Sequence, residues 1–245
     1  YWFERDHDGK FPEEFVADVA AGGWLGIAMP EEYGGSGLGI TEASIMMQTI
    51  AEAGPAQSGA SAVHLNVFGP NPIVVFGNDE QKRRMLPPLI RGEERACFGV
   101  TEPDAGLDTT RLSTRAEWDG KAYVVNGRKI WTTTAQSATK ILLIARTTAL
   151  ENTKRPIDGL SLFYTDLDRS KIEVKEIEKM GRKAVDSNML FIDGLRIPKE
   201  DLIGEEGKGF HYLLHGLNPE RVLISAEAVG IGRLALGRAV EYAKE

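Results

Sequence analysis

The chain has 245 residues, 42% hydrophobic and 27% charged, with a formal net charge of −7. This is ordinary globular composition, so a wholly disordered or collagen-like chain is excluded, and the acidic balance offers no basic excess to offset nucleic-acid phosphates. One cysteine, Cys97, rules out an internal disulfide and fits a reducing compartment, and no apolar run approaches the ~20 residues of a membrane span.

The chain opens at Tyr1-Trp2-Phe3 with no initiator Met and closes at Lys244-Glu245 inside a helical pattern, so a fragment is expected. The first region, residues 1–95, reads helical. Phe11, Phe15, Val16 and Val19 recur at helical spacing. Thr41 is the expected N-cap of a helix carrying Ile45, Met46, Thr49 and Ile50 on one face. Asn78 and Gln81 predict a capping box opening a further helix, which Pro87-Pro88 strains or ends. Tyr33-Gly34-Gly35-Ser36-Gly37-Leu38-Gly39 is too glycine-rich for regular structure.

Residues 96–205 change period. Val124-Val125, Ile141–Ile144, Leu160–Tyr164, Ile172–Val174 and Met189–Ile192 are short β-branched and apolar runs. Asp119-Gly120, Asn126-Gly127, Asp158-Gly159 and Asp193-Gly194 read as the turns between them, and an antiparallel barrel or sandwich is predicted. Residues 206–245 turn helical again, with a break expected at Asn218-Pro219, Asn218 capping and Pro219 in the first turn of the last helix. Gly230, Gly232 and Gly237 there suggest close helix packing. Helices, then strands, then helices describe a multi-domain α+β chain whose last part opens a helical bundle, not an alternating βαβ chain.

Gly230-Ile231-Gly232-Arg233-Leu234-Ala235 matches a dinucleotide fingerprint in form only, because it lies within a helical pattern. Gly204-Glu205-Glu206-Gly207-Lys208-Gly209 lacks the Walker spacing and reads as a linking loop. His211 and His215 are four apart, but no third metal ligand is evident, so no metal is expected.

Two stretches carry chemistry. Cys97 to Asp108 combines a hydroxyl, a Pro-constrained turn and a Gly that lets backbone approach a ligand closely. Gly127 to Thr134 sets a large aromatic, Trp131, beside the hydroxyls Thr132, Thr133 and Thr134 at a strand end. With the Tyr33–Gly37 loop, the Gly77–Lys82 helix start, Leu86–Leu89, Gly204–Phe210 and Asn218-Pro219-Glu220-Arg221, they form an ordered series along nearly the whole chain. This series resembles the acyl-CoA dehydrogenase family of flavoproteins.

The resemblance implies an oxidoreductase that removes hydrogen from Cα and Cβ of an acyl-CoA thioester, giving the trans-2-enoyl-CoA with FAD as acceptor. It implies that Phe98, Val100, Thr101, Gly106 and Leu107 line FAD, that Trp131 packs on the flavin ring, and that Thr132 and Thr133 lie at the cofactor, Thr133 near N5. A carboxylate must take the α-proton. In some members it directly precedes an Arg early in the C-terminal domain, the place of Glu220-Arg221, so Glu220 is the expected base, with Leu107, Asn218 and Arg221 at the substrate. The family usually has Ser where this chain has Leu107, and a small residue where it has Arg111. An electron-transfer flavoprotein as partner, a homotetramer or dimer of dimers, and a bacterial cytoplasmic or mitochondrial matrix location follow from the same resemblance. Flavin oxidases and monooxygenases on this fold are the rival chemistry. A non-catalytic acyl-CoA-binding or assembly relative is the other rival.

Overall fold

The computed structural model describes all 245 residues. Six helices come first: α1 (Trp2–Asp8), α2 (Glu13–Ala21), α3 (Ile40–Glu52), α4 (Ala56–Phe68), α5 (Asn71–Phe76) and α6 (Asp79–Ile90). Eight strands follow: β1 (Ala96–Gly99), β2 (Arg115–Trp118), β3 (Ala122–Thr133), β4 (Lys140–Arg146), β5 (Leu160–Asp166), β6 (Ile172–Glu176), β7 (Ser187–Pro198) and β8 (Leu202–Ile203). One long helix, α7 (Gly209–Tyr242), closes the chain.

The strands form one sheet in the order β6-β7-β3-β2-β4-β5-β8, with β1 also on β4. Neighbours are antiparallel except that β1 and β2 both run parallel to β4, so the sheet is mixed rather than purely antiparallel. β4 shows why its sequence reads as an unbroken apolar run. Ile141, Leu143 and Ala145 point into a core between the strands, with Tyr123, Phe163, Leu190 and Ile197. Leu142 and Ile144 point the other way, against Ile73, Leu86, Leu89, Tyr212 and Leu213 of the helices. A strand covered on both faces has no polar side to alternate. Cys97 is fully buried in the inter-strand core, where burial pushes its thiol well up, so it is inert at neutral pH.

Asn78 Oδ1 accepts from Gln81 N (2.8 Å) while Asn78 N donates to Gln81 Oε1 (3.0 Å), the predicted capping box. Pro87 and Pro88 lie within α6, which runs on to Ile90. Thr41 is not a cap. Gly39 is, and its N–H donates to Glu42 Oε2 (2.9 Å).

Three further expectations are changed by partners distant in sequence. Asn126-Gly127 and Asp193-Gly194 are not turns but lie inside β3 and β7. They face each other at an irregularity in the pairing, where Gly194 N donates to Asn126 Oδ1 (2.8 Å) and Thr114 packs so close to Gly127 that a Cβ would meet it at 2.4 Å. Asn218-Pro219 does not break the last helix, which is continuous through it. Of the three late glycines only Gly230 permits a close crossing: a Cβ there would lie 2.4 Å from the Gln48 carbonyl of α3.

Candidate active site

The segment after β1 is fastened to β3 by a buried ion pair. Lys129 is fully buried, and its Nζ donates to Glu102 Oε1 (2.8 Å) and to the Val100 carbonyl (3.1 Å). Glu102 also accepts from Ser113 N and Oγ (both 2.7 Å) and from Thr114 N (3.0 Å). Burial alone would raise the Glu102 pKa, but the Lys129 charge and this ring of donors bring it to about 2. Burial pulls Lys129 down to about 8 against the attraction of Glu102. A second tie runs from Ile130 N to the Thr101 carbonyl (2.9 Å). The fold therefore holds residues 100–102 alongside 128–130, and the two stretches singled out from sequence meet.

At that junction Trp131 sits in the left-handed region (φ 60°) and is 58% exposed. A bulged residue costs backbone strain and re-aims a side chain, so a large aromatic held this way marks a site rather than a core. The hydroxyls of Thr101 and Thr133 make no hydrogen bond within the protein, and the buried Thr132 Oγ1 has no partner at all. Thr132 gives its carbonyl to Asn188 Nδ2 (2.9 Å). Gly106 and Leu107 lie exposed on the loop beyond, and a Cβ at Gly106 would meet nothing within 4 Å. Val100 is buried and engaged through its carbonyl. Phe98 differs: its ring turns inward against Phe68 (centroids 5.6 Å, interplanar angle 86°).

β1 and α7 come together where Phe98 approaches Gly216. One turn further along α7 is Glu220, half-buried, accepting no hydrogen bond from the protein. Burial raises its pKa, against the opposing fields of His64 and Arg221 and with that of Glu227. Leu217, Glu220, Arg221, Ile224 and Ser225 line an open groove of about 400 Å³. Asn218 and Arg221 are exposed and joined by an Arg221 Nη1 to Asn218 Oδ1 bond (2.6 Å).

Sequence reasoning missed the polar cluster behind this carboxylate. His64 Nδ1 lies 3.0 Å from Oε1 of the fully buried Glu227, whose Oε2 accepts from Gln57 Nε2 (2.7 Å). Arg182 bridges Ser61 and Ser187 (3.0 Å each), joining α4 to β7. The available signal was polar residues set into the apolar run of α4, Ser61-Ala62-Val63-His64-Leu65, where each needs a buried partner. His211 and His215 stack edge to face on α7 (5.5 Å), and no cluster of metal-ligating side chains exists.

The family model "Acyl-CoA dehydrogenase, N-terminal domain" matches residues 1–93, and "Acyl-CoA dehydrogenase, middle domain" matches residues 97–195. An acyl-CoA dehydrogenase of Mycobacterium bovis is 35% identical over the whole chain, which spans 62% of that relative's length. The caffeyl-CoA reductase-Etf complex subunit CarC of Acetobacterium woodii is 32% identical over 99% of this chain and 63% of its own. The solved butyryl-CoA dehydrogenase of Megasphaera elsdenii superposes with a TM-score of 0.91 at 31% identity, over 99% of this chain and 63% of its own. The order of helices, mixed sheet and long helix is thus shared with that enzyme, and the chain belongs to the acyl-CoA dehydrogenase family.

Proposed function

We propose that this chain forms the flavin-side half of an FAD-dependent acyl-CoA dehydrogenase that converts an acyl-CoA thioester to its trans-2-enoyl-CoA. One observation carries the reading: an exposed Trp131 in left-handed backbone follows Ile130, which is tied to Thr101, and the Thr101 and Thr133 hydroxyls have no partner within the protein. A flat ring edged by alternating donors and acceptors fits that arrangement, and FAD is such a group. Backbone groups of residues 100–107 and the Thr101 hydroxyl would hold its pyrimidine edge, Trp131 its face, and Thr133 the neighbourhood of N5. FAD, when bound, supplies the acceptor for the β-hydride.

The protein supplies the proton chemistry. Burial raises the Glu220 pKa and no hydrogen-bond donor of the chain offsets it, so its carboxylate is more basic than an exposed one and is suited to take the α-proton of a thioester. Arg221, which lines the same groove, and Asn218, bonded to it, would meet the polar CoA portion of the substrate. Leu107, fully exposed, can offer only its backbone amide and an apolar surface there. An electron-transfer flavoprotein as electron acceptor fits the Etf-complex relative, and a homotetramer fits the family.

The test is the visible spectrum of the FAD-loaded chain, taken anaerobically with a panel of straight- and branched-chain acyl-CoAs. Bleached flavin bands support the reading, and bands that persist with every member overturn it. The raised Glu220 pKa also favours returning a proton, which matches the relative named a reductase. Reoxidation of dithionite-reduced flavin by an enoyl-CoA, without bleaching by acyl-CoA, would support that direction instead.

A further inference from the structure

Pro219 stands eleven residues into α7, yet the helix does not break. Proline there lacks the N–H that would serve the His215 carbonyl one turn back, and its ring pushes that carbonyl outward. A buried or half-buried carbonyl without a donor is costly. The structure supplies a donor from another element. Asn71 Nδ2, at the start of α5, donates to the His215 carbonyl at 2.6 Å. The approach depends on the sequence on both sides. Gly216 has no side chain, and a Cβ there would already lie 3.3 Å from Cγ of Pro72, the neighbour of Asn71. Phe76 of α5 stacks edge to face on the His215 ring (4.7 Å), fixing the same contact from the other end of the short helix. Asn71 and Pro219 also line one apolar cavity of about 280 Å³ with Met29, Phe68 and Leu223.

We propose that Asn71 is a positioning residue for Glu220: its amide replaces the hydrogen bond that Pro219 cannot make, and so fixes the turn of α7 that presents the carboxylate. The consequence for function rests on the reading of Glu220 as the base. Pro219 then has a purpose. It frees one carbonyl from the helix, and that carbonyl ties α7 to α5 immediately before the reacting side chain.

A double-mutant cycle tests this, because Pro219→Ala restores the missing N–H and removes the need for Asn71. In the FAD-loaded chain, Asn71→Ala should slow bleaching by the best acyl-CoA of the panel about tenfold or more, since small misplacements of a reacting group are costly. The substrate concentration for half-saturation should move far less. In the Pro219→Ala background the same Asn71→Ala change should act within about threefold of neutral. The second readout is amide hydrogen exchange, measured without FAD. Asn71→Ala should speed exchange at Glu220 to Leu223 and leave residues 233–240 unchanged, and adding Pro219→Ala should reverse the effect. Equal losses with and without Pro219→Ala, or unchanged exchange at Glu220 to Leu223, would overturn the proposal. Glu220→Gln separates the two ideas. Should that variant bleach at the full rate, the base assignment falls, while the exchange cycle still decides the role of Asn71.

Discussion

Two carboxylates of this chain are withdrawn from water and treated in opposite ways. Glu102 is surrounded by Lys129, Ser113 and Thr114, and its pKa falls to about 2. Glu220 has no donor, and burial raises its pKa. Burial pushes both upward, and the buried Lys129 charge with its companion donors reverses the sign at Glu102 alone. A saturated carboxylate is a fastener, and a starved one is a reagent. The loop that would face the flavin is held by the first, and the groove that would take the substrate is edged by the second.

The largest expected effect separates them by activity. Glu220→Gln should slow flavin reduction by about 10²–10⁴-fold, the usual worth of a positioned base, while its stability at neutral pH holds or rises. Rapid-mixing absorbance with acyl-CoA reads the first, and urea denaturation the second. Lys129→Met should do the reverse kind of damage. It strands the Glu102 charge in the core and should cost about 3–5 kcal/mol of unfolding free energy, with much of that recovered in Glu102→Gln/Lys129→Met.

The pH dependence sharpens the contrast. The Glu102 pKa is lower folded than unfolded, so its contribution is complete above the unfolded value and is lost as pH falls through about 2. The Glu220 pKa is raised, so the unfolded carboxyl ionises first as pH rises. Wild type and Glu220→Gln should therefore be equally stable below about pH 4, and wild type should fall behind above it. Parallel curves for the two proteins from acid to neutral pH would contradict the assignment. The smallest effect belongs to Trp131→Ala. Because the residue is 58% exposed, its loss should change stability within about 1 kcal/mol but weaken FAD retention, as measured by flavin released on gel filtration.

Local signals were the legible ones. The Asn78–Gln81 box is four residues long and depends on nothing else, and the apolar runs of β4, β5 and β7 fall where they were read. Trp131 and Thr101 could be singled out because a residue pattern marked them. What failed depended on partners distant in sequence. Pro219 reads as a break until Asn71, 148 positions away by number, meets the orphan carbonyl. Asn126-Gly127 reads as a turn until Gly194 and Thr114 are laid against it. Lys129 reads as one more strand cation, and only its contact with Glu102 shows that it is interior. His64 has no partner in its own stretch of sequence, because Glu227 lies on the last helix.

The β3–β7 pair carries two irregularities, not one. Between Val125 and Gly127 the extra residue belongs to β7, and between Lys129 and Thr132 it belongs to β3. The second cancels the first, so the strands leave in the phase in which they entered. Lengthening or shortening either strand by one residue would undo that cancellation and invert every side chain downstream, because strand faces alternate. Insertions and deletions in this stretch should therefore be tolerated only as matched events on both strands, one on β3 for one on β7.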